Sequence, residues 1–488
     1  MQLNTPSLNC GKYLEYDCEA NDNVIMSTEV CLPESTQSPS MSAAPSSSPS
    51  AYPSSMCSSP SVAPSISAQP SHSPSITPSE SPTPVSSAVP SADPSTHSSL
   101  RSMKPSNFPS LSSTPSISEA PTMVSTTDWK QIGPDIDGQA PGDQSGKSVA
   151  ISADGNTVAI GSPNHKVGSY TNRGQCRAYR FNGTVWNQLG SDLNGSYNGE
   201  QLGWSVALSA DASVVAIGSP MYYSKKGRVQ VYNWNGSSWS QVGGYITGGS
   251  TYDNSGQSIA LSSNGNVVAI GSPGRGGTDI GTVRVFLWNG ASWSKLGGDI
   301  DGDDKYGFAG SSVAVSSIGS PGSDGNKRAG SVGLGTYLAT AADEFGCSVS
   351  LSSDGKTLAV GARNSGILSG SVTVYSFDTG NWTQVGDALE GPPFERAGSS
   401  VSLSWDGKTV TVGSPYSNPN GPWSGHVGIY HWDVSTWTEV GSQIPGEASN
   451  DYSGTAISLS YDGSKIAIGA LGNHGSKIYP SGNTLVMQ

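Results

Sequence analysis

"FGCSVSLSSDGKTLAVGA", residues 345–362, sets two alternating apolar runs on either side of Asp354-Gly355 and closes on Gly361-Ala362. Alternation at period two marks strands whose two faces meet different surroundings, and Asp-Gly between such runs is a tight-hairpin signal. The stretch returns six times: "GKSVAISADGNTVAIGSP" from Gly146, "GWSVALSADASVVAIGSP" from Gly203, "GQSIALSSNGNVVAIGSP" from Gly256, a shortened "GSSVAVSSIGSP" from Gly310, "GSSVSLSWDGKTVTVGSP" from Gly398 and "GTAISLSYDGSKIAIGA" from Gly454. Five of the six steps between copies run 52 to 57 residues, whereas Gly310 to Gly346 is only 36. A period of this size means stacked units that cannot bury their faces singly.

Each full unit continues with a second pair of runs, as in "GRVQVYNWNGSSWSQVG", residues 227–243, where Asn235-Gly236 is again a hairpin turn. Four strands per unit follow. In unit two, Val206, Leu208, Val215 and Ile217 alternate with Ser and Ala, so bulky side chains can face one neighbouring sheet while small ones let the other approach. Closing such sheets into a ring removes their exposed ends, and the spacing predicts an all-β, seven-bladed β-propeller over 128–488 with one degenerate blade. Trp186, Trp239, Trp293, Trp382 and Trp437 each open the last strand of a unit, and Trp129 stands ahead of the first, while unit seven has no tryptophan of its own. Residues 129–133 are therefore expected to supply the outer strand of unit seven and hide its edge. Unit four lacks both the Asp-Gly hairpin and the tryptophan strand; a degenerate blade and a stretch lost from the gene model both account for this.

Phe345-Gly346 with Gly361-Ala362, and the Gly-Ser-Pro at 161–163, 218–220, 271–273 and 413–415, resemble the FG-GAP repeat of integrin alpha-chain propellers. The fuller pattern is similar to the repeat of large secreted propeller proteins of bacteria and algae. The resemblance implies a propeller with ligand recognition on one face. It also implies calcium in the hairpin loops, but only the central carboxylate of the integrin pattern persists here, at Asp154, Asp211, Asp354, Asp406 and Asp462, with Asn264 in another copy. One carboxylate falls short of the six to eight oxygens calcium takes, so these aspartates are expected to build turns. Asp299, Asp301 and Asp303 imitate the start of a calcium loop, yet no glutamate follows at the required distance; turn chemistry is the leading reading there and calcium the lesser one.

Residues 1–34 carry Cys10, Cys18 and Cys31 in a polar segment. From 35 to 127 the chain is dominated by Ser, Pro, Ala and Thr with fourteen Pro-Ser dipeptides, a composition with too little apolar surface to offset ordering entropy. This Pro/Ser-rich region is expected to be a disordered stalk, and it resembles the P-S-x-x-P-S linkers of secreted and wall-associated proteins of silica-walled algae. The sequons at Asn182, Asn194, Asn235 and Asn381 fit N-glycosylation in loops, although Asn-Gly-Ser is also good turn chemistry. Four of six cysteines fall in the first 57 residues and could pair three ways, while Cys176 and Cys347 lie in different units. The start, "MQLNTPSLNCGKYLEYDC", has no basic and apolar leader, so either the N-terminus is incomplete, which is favoured, or the protein stays inside.

A net charge of −13 disfavours nucleic-acid backbones, and no apolar run is long enough for a membrane span. "GDQSGKS", residues 142–148, imitates a phosphate loop but has the wrong spacing and precedes a strand instead of a helix. No nucleophile elbow occurs, and His165, His426, His431 and His474 are scattered, so no catalytic residue and no cofactor is assigned. The loops after the second and fourth strands emerge on one face of the ring. They carry Tyr170, Tyr197, Tyr222, Tyr223, Tyr252, Tyr306, Phe394, Tyr416, Trp423 and Tyr452, which suit protein or carbohydrate recognition or else pack as local loop cores. The expected protein is a monomeric, non-enzymatic binding or adhesion module, extracellular or in a cell wall, with a protein or carbohydrate of that surface as partner. A hydrolase or lyase using a central pocket and an intracellular scaffold are the alternatives.

Overall fold

In the computed structural model the described residues are 8–15, 26–33, 128–275, 279–302, 307–316, 331–335, 343–378, 381–473 and 481–488. The stalk assigned to 35–127, and with it Asp303 and Tyr306 of the expected site residues, lie outside them.

Units one, two, three, five and six each form an antiparallel sheet whose first four strands follow sequence order, and unit seven forms one from Ser453–Leu459, Ile466–Ala470 and Asn483–Met487 completed by Ile136–Asp137. In unit one the strands are Ser148–Ile151, Thr157–Ser162, Gln175–Phe181 and Trp186–Gln188, and a short strand, Leu193–Asn194, pairs the start of the third. The sheets are the six blades of a β-propeller, which corrects the expected count of seven. The reason lies in unit four, where the chain between Gly310 and Gly346 is too short for a repeat-built blade. Its first strand, Ser312–Val315, still stands in the inner circle between Ser258–Leu261 of unit three and Phe345–Leu351 of unit five. It pairs with Ser331–Gly335, and two strands from the start of the chain, Leu8–Glu15 and Met26–Pro33, extend that sheet outward.

The alternation read in the strands is the packing code. Val215 and Ile217 of unit two pack on Ala150, Ala159 and Cys176 of unit one, whereas Ala216 meets Val268 and Ile270 of unit three. Two repeated glycines make the close approach possible. A Cβ on Gly218 would sit 2.1 Å from the carbonyl oxygen of Gly256, and Gly161 stands in the same relation to Gly203 at 2.0 Å. Gly256 itself holds φ +86°, a conformation glycine adopts at little cost. Its carbonyl accepts a hydrogen bond from Ser205 Oγ at 2.8 Å, and the same serine-to-glycine bond across a blade junction recurs from Ser148, Ser258, Ser348 and Ser400.

The outer tryptophans are a second ladder. Trp239 Nε1 donates to the carbonyl of Leu189 at 2.9 Å, three residues past Trp186 in the preceding blade, and Trp186, Trp293 and Trp437 repeat the bond on Ile132, Val242 and Val385. Trp129 donates to Val440 at 3.3 Å and so occupies the tryptophan position of unit seven. The amides of Lys130 and Ile132 donate to Gln488 and Val486 at 2.9 and 2.8 Å, and Ile136–Asp137 pairs with Asn483–Met487. One blade thus contains both ends of the repeat region.

At the hairpins the aspartate turns the chain. Asp154 Oδ1 accepts from the Ser152 hydroxyl and from the Asn156 amide at 3.0 Å, while the Thr157 amide donates to Ser152 Oγ at 2.9 Å. Partial burial opposes ionisation of Asp154, but these bonds outweigh it and hold the carboxyl below its ordinary range. Asp211 and Asp462 are held down in the same way. Ala212, where the glycine is replaced, still takes φ +59°.

Candidate functional site

The connections after the second and fourth strands gather six of the expected aromatics into two groups. Between units one and two, Tyr197 meets Tyr222 edge-on with ring centroids 5.4 Å apart, and Tyr222 neighbours Tyr223 at 6.3 Å. The Arg228 guanidinium lies over Tyr222 at 4.1 Å and over Tyr245 at 4.3 Å. Between units six and seven, Tyr416 meets Tyr452 edge-on at 5.7 Å, Trp423 stacks on Tyr452 at 6.1 Å, and Arg396 covers Tyr416 at 4.7 Å. Tyr170 lies under Arg173 at 3.8 Å, while Tyr252 and Phe394 join neither group. The rings are both packed and presented: Tyr170, Tyr197, Tyr223, Tyr252, Phe394 and Trp423 are all about half exposed or more. Five of the aromatics, Tyr223, Tyr252, Phe394, Trp423 and Tyr452, take φ between +42° and +70°, the left-handed region that costs an ordinary side chain about 1–2 kcal/mol.

Beneath these rings lies a layer of acids that reasoning from sequence missed. Asp143, Glu200, Asp253, Asp343, Glu395 and Asp451 each stand three residues before a repeat glycine, and that fixed spacing was the available signal. Asp143, Glu200, Asp253 and Asp451 are buried, and each caps its own loop by accepting backbone amides: Ala140 for Asp143 at 2.8 Å, Tyr197 for Glu200 at 2.8 Å, Ser250 for Asp253 at 2.9 Å and Ala448 for Asp451 at 2.6 Å. Their second partners differ. Arg228 pairs with Glu200 at 2.6 Å, fully buried, and His165 Nδ1 lies 2.9 Å from Asp143. His426 Nδ1 lies 2.7 Å from the Ser417 hydroxyl and 3.7 Å from Glu395. Burial pushes the His426 imidazole down to about 4 and raises the Glu395 carboxyl. His431, outside this layer, bonds Thr409 through Nδ1 at 3.1 Å.

Of the calcium candidates, Asp299 pairs with Lys295 at 2.5 Å and Asp301 with Arg275, so cationic side chains already neighbour both. Asn182, Asn194, Asn235 and Asn381 are exposed. Asn182 and Asn235 also serve their turns, accepting the amides of Val185 and Ser238 at 2.9 Å. The Cys176 thiol is buried among Ala150, Ala159 and Val215, and burial pushes it up to about 12. Among the described residues no helix is long and apolar enough to cross a membrane.

The opposite face, where the Asp-Gly hairpins turn, has a cavity of about 160 Å3 on the ring axis. Its floor is a collar of aliphatic side chains from the ends of the inner strands, among them Ile151, Leu208, Leu351 and Leu459. At its mouth stands the residue before each turn aspartate or asparagine: Ala153, Ala210, Ser263, Ser353, Trp405 and Tyr461. These residues are joined around the axis by backbone hydrogen bonds of 2.9 to 3.1 Å, Ser353 donating to Trp405, Trp405 to Tyr461, Tyr461 to Ala153, Ala153 to Ala210, and Ala210 to Ser263. The Trp405 and Tyr461 rings stack with centroids 5.0 Å apart and planes 2° from parallel, yet remain 47% and 41% exposed.

A scan of protein-family profiles finds no match, and no curated protein matches the chain. Among solved structures, a chain titled "Structure of U3-55K" is similar at 13% identity with a TM-score of 0.44, over 74% of this chain and 100% of that one.

Proposed function

We propose that this protein is a non-enzymatic recognition module that binds a protein of an extracellular surface or cell wall through its loop face, carried on the Pro/Ser-rich stalk. The observation that carries the reading is the set of large aromatic side chains, Tyr223, Tyr252, Phe394 and Trp423, held at positive φ with about half or more of each surface exposed. Glycine or asparagine would fold these turns with less strain, so the rings cost stability where they add little to the core. Aromatics flanked by arginine on a rigid frame are the residue types that dominate protein-binding hot spots. The likeness of the repeat to FG-GAP units and the four exposed sequons favour an outward address.

The test is retention of the tagged full chain on an isolated cell-surface or wall fraction, compared with the triple variant Tyr223→Gly, Phe394→Gly, Trp423→Gly. Retention should fall at least tenfold while the melting temperature stays within a few degrees, since relief of backbone strain offsets lost ring packing. Equal retention by the variant, or a tagged chain found wholly in the cytosol, would defeat the proposal.

A further inference from the structure

The repeat supplies its own control for the axial mouth. Every described copy places one residue before the hairpin aspartate or asparagine; in units one, two and five alanine or serine is enough to pass the backbone hydrogen bond to the next blade, and in unit three serine is enough to receive it. Trp405 and Tyr461 make the same bonds at 3.0 and 3.1 Å, so an indole and a phenol are surplus to the fold at these two positions. They are adjacent on the circle, they stack face to face, and they leave close to half their surface in water beside an aliphatic floor. Apolar area kept exposed next to a cavity is unfavourable by about 25 cal/mol per Å2 unless something covers it.

The chemistry of the surroundings narrows the occupant. None of the fourteen described lining residues carries a charge, which leaves an ionic ligand without a counter-charge from them while it loses its hydration. A peptide strand is disfavoured as well, because five consecutive backbone links already occupy the amides and carbonyls it would need. What the mouth does offer is a flat aromatic wall and hydroxyls. Tyr461 Oη and Ser353 Oγ converge to 3.5 Å across it, each able to donate and accept, and Ser263 lines the same opening. The cavity is smaller than the roughly 300–1,000 Å3 of drug-sized sites, which suits one ring.

We propose that the axial mouth on the hairpin face binds a neutral pyranose ring, the terminal sugar of a glycan, with its C–H face on the Trp405–Tyr461 wall and its hydroxyls on Tyr461 and Ser353. The site lies at the opposite ends of the strands from the loop face, so the two readings stand or fall separately.

The experiment uses the full chain and the methyl glycosides of glucose, mannose, galactose and N-acetylglucosamine, with glucuronic acid as the charged counterpart. Saturation-transfer NMR detects binding and calorimetric titration measures it. At least one neutral glycoside should bind and glucuronic acid should not. Trp405→Ala and Tyr461→Ser, which install residue types that sister units already carry, should each weaken the affinity at least tenfold with an unchanged melting temperature. The loop-face triple variant should bind the sugar as the parent does. Silence from all four neutral glycosides, equal binding of glucuronic acid, or affinity indifferent to both substitutions overturns the proposal. Loss of sugar binding in the loop-face variant alone overturns it too.

Discussion

Replacing Gly218 by alanine isolates the contact that sets blade spacing. The backbone there is one alanine readily adopts, so the only obstacle is space. The new Cβ would lie 2.1 Å from the Gly256 carbonyl oxygen and 2.3 Å from Ser205 Oγ. Neither can swing away, because one is backbone and the other is fixed by its own 2.8 Å bond to that carbonyl. Reaching even a 3.0 Å contact requires the second strand of unit two and the start of unit three to part by about 0.9 Å. Overpacking of this kind costs about 1–3 kcal/mol, and loss of the Ser205 hydrogen bond adds about 1 kcal/mol. Thermal unfolding followed by near-ultraviolet circular dichroism should therefore show a drop on the order of 5 °C for Gly218→Ala. Gly244→Ala is the control, since a Cβ there meets nothing within 4 Å and its backbone is not left-handed. Should Gly218→Ala melt with the control, the account of the repeat glycine as a spacer between blades is wrong.

Trp129→Ala should loosen ring closure, because it removes the bond to Val440 and the packing of the indole against the buried cluster that includes Val427, Ile444 and Ile466; a loss of about 3–5 kcal/mol is expected, with early proteolytic release of the C-terminal strand as the readout. The pH dependence of stability should carry the mark of His426. Its pKa falls from the ordinary 6.5 to about 4 on folding, so its neutral form belongs to the folded state and stability is lost as pH falls from about 6.5 towards 4. Glu395, raised by burial, acts in the opposite direction over the acid end of that window. His426→Gln, the residue type at the matching position in unit one, should flatten the slope between pH 6.5 and 5 in denaturant titrations; an unchanged slope would mean that the imidazole is not kept neutral.

Much of the fold was legible because each unit repeats its own physics. Hairpin turns, alternating strands and the tryptophan that opens each outer strand are local patterns, and the unmatched Trp129 pointed to closure through residues 129–133. The sheet at unit four was not legible, since pairing of Ser331–Gly335 with Leu8–Glu15 joins segments more than 300 residues apart with no shared period. The loop aromatics were legible from their places after the second and fourth strands, but not that six of them would form two groups while Tyr252 and Phe394 stand apart. The acid layer is marked in the sequence only by its spacing to the repeat glycines, since Asp and Glu both occur there without a shared flanking motif. Trp405 and Tyr461 stand in the sequence directly before hairpin aspartates, but their stacking depends on the curvature that brings neighbouring inner strands together.

The belt of backbone bonds at the axial mouth has an electrical consequence. Its links run donor to acceptor in one rotational sense, from Ser353 through Trp405, Tyr461, Ala153 and Ala210 to Ser263. Peptide dipoles laid tangentially around a circle largely cancel along the axis, unlike those of a helix, which add along theirs. The belt therefore adds no axial field of its own at the opening, and what charge the rim has comes from the hairpin aspartates that follow every belt residue but Ser263, so a neutral ring is selected inside the mouth by molecular shape and hydroxyl geometry.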